Sequence, residues 1–240
     1  MKILSIGNSF SQDSHRYLHK LALEDGFDLQ TYNLCIGGCT LRTHYLNMLD
    51  DKQAYFFEFN GQSTAVKLSL RQVLESVEFD VVTLQQASHL SAKQESYSPY
   101  IEELAKYVKK YCPHAKIYIH QTWAYEDGSE RLKNVAQYES AKEMLADIQS
   151  AYKNAFDLIK ADKIIPSGTA MHNALSLGME KIHRDTFHAS YGAGRYLLAL
   201  TWYKTLTGND ITNNDFNDFD LPVTDKEREI VIKAVNSAVK

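Results

Sequence analysis

Proline is scarce in this chain, at four residues in 240, and glycine numbers eleven. Such a composition excludes a low-complexity or linker-rich protein. Cysteine is equally thin: Cys35, Cys39 and Cys112 are an odd count and form no disulfide framework, so free thiols are expected. Cys35 and Cys39 lie four apart, but no second Cys/His pair accompanies them to complete a zinc site. No metal and no organic cofactor is expected.

No apolar run approaches the roughly 18–20 residues that a membrane-spanning helix needs. A surplus of one charge is missing too, since 26 Lys and Arg against 30 Asp and Glu leave a formal charge of -4. Neither nucleic acid nor an anionic membrane is therefore expected as a partner. Met1 does not open a signal peptide, because residues 2–6 run straight into Gly7 and polar residues. The sequence as written predicts a cytoplasmic protein, or a secreted or periplasmic one where a leader has been removed. Nothing in it specifies an oligomeric state.

What is present is an ordinary globular balance, 44% hydrophobic and 23% charged, in a length that fits one α/β domain over residues 1–240. Strands are expected at 2–6, 29–34, 78–84, 116–120 and 163–165, the last stopped by Pro166. Leu18, Leu21 and Ala22 mark a helix that ends near Gly26. Ala141, Met144, Leu145, Ile148 and Tyr152 begin a longer amphipathic one that reaches Ile159. Further helices are predicted over 190–206, closed by Gly208, and over 225–239. The apolar runs flanking Asn60-Gly61 read as a hairpin inserted at about 55–68. Alternation of this kind implies a mainly parallel, five-stranded sheet with helices on both faces.

Ligands of such sheets bind beyond the carboxyl ends of the strands, and polar clusters stand at those ends. They are Gly7-Asn8-Ser9, Ile36-Gly37-Gly38-Cys39-Thr40, Gln85-Gln86-Ala87-Ser88-His89 and Gln121-Thr122-Trp123, with Arg184-Asp185-Thr186-Phe187-His188 ahead of a late helix. Each alone has a bland explanation as a cap or a tight turn. Together they supply what acyl transfer to water requires: a nucleophile, a base, an orienting carboxylate and oxyanion donors. Ser9 fits the nucleophile, His188 the base and Asp185 its orienter. The N–H groups of Ser9 and Gly38 and an amide from Gln85 or Gln86 fit the oxyanion.

These blocks resemble those of the SGNH hydrolases. Gly7-Asn8-Ser9-Phe10-Ser11 is similar to their GDSL/GNSF first block, Asn33-Leu34-Cys35-Ile36-Gly37-Gly38 to the second, and Asp185-Thr186-Phe187-His188 to the final Asp-x-x-His block. The resemblance spans most of the chain and implies a flavodoxin-like three-layer α/β/α fold with serine esterase activity. The third block departs from it: Leu84-Gln85-Gln86-Ala87-Ser88 stands where Gly-x-Asn-Asp is usual. Gln85 then resembles the glutamine of sialate O-acetylesterase and acetylxylan esterase relatives. The resemblance implies a small acyl group, acetyl, on a carbohydrate ester as substrate.

Other residues carry weaker patterns. Trp123, Tyr125 and His89 are candidates for binding the substrate, with core packing as the alternative for the two aromatics. His15 and His19 have helical spacing but no carboxylate partner for a metal, and Asp13 reads as a helix-capping or first-turn residue. Gly192-Ala193-Gly194-Arg195 lacks the ending of a phosphate loop, which counts against a flavodoxin-like nucleotide binder. The alternatives left open are a non-catalytic glycan-binding module on the same fold and a lipase or thioesterase for longer acyl chains.

Overall fold

Residues of the central strands alternate between two apolar layers, so these strands feed both faces of one sheet. Ile3, Val81 and Tyr118 join one buried cluster, while their chain neighbours Leu4, Val82 and Ile117 join the other. The computed structural model describes residues 1–239. Its strands are β1 (Lys2–Gly7), β2 (Gln30–Cys35), β3 (Tyr55–Phe59), β4 (Gln62–Leu68), β5 (Val81–Leu84), β6 (Lys116–His120) and β7 (Lys163–Ile165). They lie in the order β4-β3-β2-β1-β5-β6-β7.

Helices cover both faces. Helices α1 (Ser9–His15) and α2 (Leu18–Glu24) pack on one side; α3 (Leu41–Leu49), α4 (Leu70–Ser76), α5 (Tyr100–Tyr111) and α6 (Ala141–Ile159) pack on the other. Helices α7 (Ser167–Ser176), α8 (Ala193–Thr207) and α9 (Asp225–Ala238) complete the first side. The result is a three-layer α/β/α arrangement. Among the described residues no helix is long and apolar enough to cross a membrane.

Two expectations need correction. The sheet has seven strands rather than five, because the hairpin is not an appendage. Its first strand pairs antiparallel with β2, from Tyr32 opposite Phe59 to Cys35 opposite Phe56, and so supplies partners for an edge that β2 would otherwise leave bare. The late helix starts at Ala193 rather than near 190, since the Ser190 hydroxyl accepts the Gly194 N–H (2.9 Å) from outside the helix.

The other five strands are parallel. From β1 the chain steps to β2 on one side and later to β5 on the other, so strand order reverses at β1. Ligands of such sheets bind outside the carboxyl ends of the strands at this reversal, here those of β1, β2 and β5.

Candidate active site

Strand β1 ends at Gly7, and the chain turns through Asn8 into α1, whose first residue is Ser9. Asn8 is extended (φ -142°), and its Oδ1 accepts the Phe10 N–H at 3.0 Å, capping the helix. Only glycine fits at position 7, because a Cβ there would stand 2.4 Å from Ser11 Oγ. The Ser9 N–H, in the first turn, has no intrahelical acceptor.

Facing this turn is the segment before α8. His188 Nε2 lies 2.9 Å from Ser9 Oγ, and His188 Nδ1 lies 2.7 Å from Asp185 Oδ2. A carboxylate only accepts, so Nδ1 carries the ring proton and Nε2 is free to accept from the Ser9 hydroxyl. The second oxygen, Asp185 Oδ1, takes the His188 backbone N–H at 2.8 Å. Burial pushes the Asp185 carboxyl up, but the hydrogen bonds from His188 and Phe187 outweigh it, and the group sits below its ordinary range. The imidazole is 17% exposed and Asp185 46%, which puts the carboxylate at the solvent edge of the site.

The loop is held in shape by its own backbone. A bridge pairs His183 with Ala189, and Arg184 N–H donates to the His188 carbonyl at 3.0 Å. Thr186 sits at φ +74°, a left-handed conformation that costs a β-branched residue more than most.

Two arginines, Arg184 of the loop and Arg195 of α8, then reach the helix of Ser9. Arg184 Nη1 donates to both oxygens of Asp13 (2.9 and 2.8 Å), and Arg195 Nε donates to Asp13 Oδ1 (2.9 Å). Arg195 also reaches Asp220 (2.6 Å), which Arg16 pairs from the C-terminal cap of α1. Hydrogen bonding from Arg16, more than from Arg195, holds the Asp220 carboxyl down at about 2 against a smaller desolvation effect. Sequence reasoning missed this network. Its one available signal was Arg184 directly before the Asp-x-x-His block.

The remaining predicted residues divide. Gly38 lies in the turn after β2, at φ +64°, and Asn8 Nδ2 donates to the neighbouring Cys39 carbonyl at 3.1 Å. Gln85 is buried beside the turn that carries Ser9, with Nε2 2.7 Å from Asn8 Oδ1. Gln86 faces away. Its Oε1 accepts from Leu41 N and Ala87 N, and its Nε2 donates to the carbonyl and hydroxyl of Ser96, so its amide is committed to holding loops.

Trp123 and Tyr125 are 1% and 0% exposed, so both are packed into the core. The Trp123 indole lies flat on Phe10 (centroids 3.9 Å apart) and donates to the Phe187 carbonyl at 2.7 Å, bracing both halves of the site from beneath. The Tyr125 hydroxyl lies 3.0 Å from Ser88 Oγ. His89 is exposed, and burial of its ring, with Lys93 and Arg131 nearby, pushes its pKa down. Arg131, which the sequence did not single out, lays its guanidinium 3.7 Å from the centroid of the Phe187 ring.

His15 and His19 have separate partners, Ser5 Oγ at 2.8 Å and the Leu29 carbonyl at 2.7 Å. Cys39 Sγ stands 3.5 Å from His44 Nδ1, and burial pushes the Cys35 and Cys39 thiols up to about 12.

A parallel sheet with its switch point at β1, a serine on the turn after that strand and an Asp-x-x-His loop before a late helix define the SGNH, or GDSL-like, hydrolase fold. Solved structures similar to this chain carry the same fold. A candidate SGNH hydrolase from Slackia heliotrinireducens aligns with a TM-score of 0.63 at 23% identity, covering 86% of this chain and 98% of that one. An acetylxylan esterase from Geobacillus stearothermophilus aligns with a TM-score of 0.55 at 14% identity, over 86% and 94%. Within that fold the chain belongs to the DUF4886 family, described as a domain of unknown function, whose profile matches residues 2–238. A DUF4886 protein from Bacteroides uniformis has a TM-score of 0.91 and 32% identity, covering all 100% of this chain and 94% of its own. Among curated proteins, none matches.

Proposed function

We propose that this chain is a serine hydrolase of carboxylic esters. The observation that carries the reading is the continuous relay from Ser9 Oγ through His188 Nε2 (2.9 Å) and Nδ1 to Asp185 Oδ2 (2.7 Å). Ser9 attacks the ester carbonyl while His188 takes its proton, and Asp185 stabilises the imidazolium. His188 then protonates the departing alcohol. Water attacks the acyl-enzyme with His188 again as base, releasing the acid and restoring Ser9. The N–H groups of Ser9 and Gly38 meet the developing oxyanion.

A small acyl group, acetyl on a carbohydrate, is the substrate class we favour. Its support is the third block of the sequence and the fold shared with an acetylxylan esterase. Arg131 and His89 are the polar groups beside Phe187 and β5 that we assign to the substrate's remainder. Replacement of Ser9 by alanine is the test: hydrolysis of p-nitrophenyl acetate disappears while the far-ultraviolet dichroism is kept. A fluorophosphonate labels Ser9 of the native chain, as mapped by mass spectrometry. Native activity in Ser9→Ala, or no label on Ser9, overturns the reading and favours a glycan-binding module.

A further inference from the structure

Beneath the nucleophile turn runs a chain of buried polar groups whose polarity can be read from end to end. It starts at the Phe10 N–H, which donates to the side chain of Asn8 at 3.0 Å. A backbone N–H cannot accept, so the Asn8 atom facing it is the oxygen, and the amide nitrogen is the one at 3.1 Å from the Cys39 carbonyl. Gln85 approaches that same oxygen at 2.7 Å and must do so with its nitrogen. Its oxygen therefore faces His120 Nδ1 at 2.8 Å, and Nδ1 must carry a proton. The ring is fully buried, and burial, helped by His15, pushes its pKa down to about 3. The imidazole is neutral, Nε2 is bare, and the Ser167 hydroxyl donates to it at 3.1 Å.

We infer that His120 is a positioning residue that acts as the Nδ1–H tautomer. It orients Gln85, which orients Asn8, the residue that caps the helix of Ser9 and grips the carbonyl beside Gly38. This rests on the esterase reading above, although His120 touches no substrate. Four separate pieces of chain converge in the relay: the ends of β5 and β6, the turn after β1 and the glycine turn after β2. Trp202 packs edge-on to the ring, with centroids 4.8 Å apart, and fixes its plane. A filler would need only volume. A relay whose every donor meets an acceptor sets a direction, and a wrong tautomer would place two acceptors face to face between His120 and Gln85.

The test separates geometry from bulk. Asparagine presents an N–H close to the place of Nδ1, whereas glutamine reaches toward that of Nε2. His120→Asn is expected to hold kcat for p-nitrophenyl acetate within about threefold. His120→Gln is expected to lose about 100-fold in kcat with KM little changed, the scale of a misplacement near 1 Å. Long-range proton–nitrogen spectra of the native full-length chain are expected to show a protonated Nδ1 and a bare Nε2 on His120. Equal activity of the two variants, or an Nε2–H tautomer, overturns the inference. Should either variant fail to fold, the native spectrum still decides the polarity of the relay. Absence of fluorophosphonate label on native Ser9 would instead remove the esterase reading, a result distinct from a wrong tautomer.

Discussion

The carboxylate of Asp13, wholly buried, receives Arg184 Nη1 on both oxygens, at 2.9 and 2.8 Å. Asp13 stands one helical turn after Ser9, and Arg184 directly precedes Asp185. With Arg195 on the same carboxylate, this pair helps set the spacing between the helix of Ser9 and the loop of His188. Removing one partner of a buried pair costs about 3–5 kcal/mol, because the other charge is left uncompensated. Asp13→Ala is expected to lose stability on that scale in urea unfolding and to lower kcat by loosening the approach of His188 to Ser9.

Asp185 and His188 are expected to fail differently. His188→Ala removes the base and should abolish turnover of p-nitrophenyl acetate. Asp185→Asn should lower kcat about 100-fold or more and leave a residue of activity, the range set by general acid–base contributions. Steady-state kinetics with matched KM values checks both, and full activity in His188→Ala would require another base.

Gly38 and its neighbour give an internal control. Beyond the adjoining residues, no heavy atom lies within 4 Å of a Cβ built at either Gly37 or Gly38, but of the two only Gly38 has a positive φ, +64°. Gly38→Ala is expected to cost about 1 kcal/mol through the backbone alone and to depress kcat, because the turn that presents its N–H shifts. Gly37→Ala should leave both nearly unchanged. Thermal melts and kinetics of the two variants make the comparison.

Burial holds His15, His44 and His120 down at about 3 and His183 at about 4. Unfolding returns each to about 6.5, so the unfolded chain binds more protons and stability rises with pH. Their contribution is complete above about pH 6.5 and is lost as pH falls toward their folded values. Each such histidine adds about 1.4 kcal/mol per pH unit to the slope within that window. Urea midpoints between pH 7 and 5, above the range in which most carboxylates titrate, should fall steeply and then more steeply at lower pH.

Trp123 distinguishes a brace from a substrate floor. Trp123→Ala should cost about 3–5 kcal/mol, as expected for a large core aromatic. A floor would instead keep its melting temperature and raise KM. Differential scanning calorimetry beside kinetics reads the two apart.

Much of the site was legible because its chemistry lies in short local patterns. Ser9 follows an apolar strand through glycine and asparagine, and Asp185 lies close enough to His188 to bond its ring within one loop. The periodicity of α6 was equally plain, and its boundaries are those the spacing predicted. Orientation was not legible. Gln85 and Gln86 adjoin at a strand exit, where successive side chains point to opposite faces. One therefore meets Asn8 and the other meets Leu41 and Ser96. Nor does sequence name partners that folding brings from afar. Asp13 looks like a helix-turn residue until Arg184 and Arg195 arrive, 171 and 182 positions later. The hairpin was visible as a hairpin, but its docking on β2 depended on an edge that only the assembled sheet presents.

The contact between Ser9 and His188 spans 179 residues. A ribosome that has delivered the whole turn of Ser9 has made a hydroxyl with no base, and this remains so through most of synthesis. Contacts this distant carry a large loop-closure cost and form only as the sheet and its covering helices condense. On the esterase reading proposed above, hydrolysis is withheld from the nascent chain, and the appearance of activity during refolding should time the docking of the last third of the molecule onto the first.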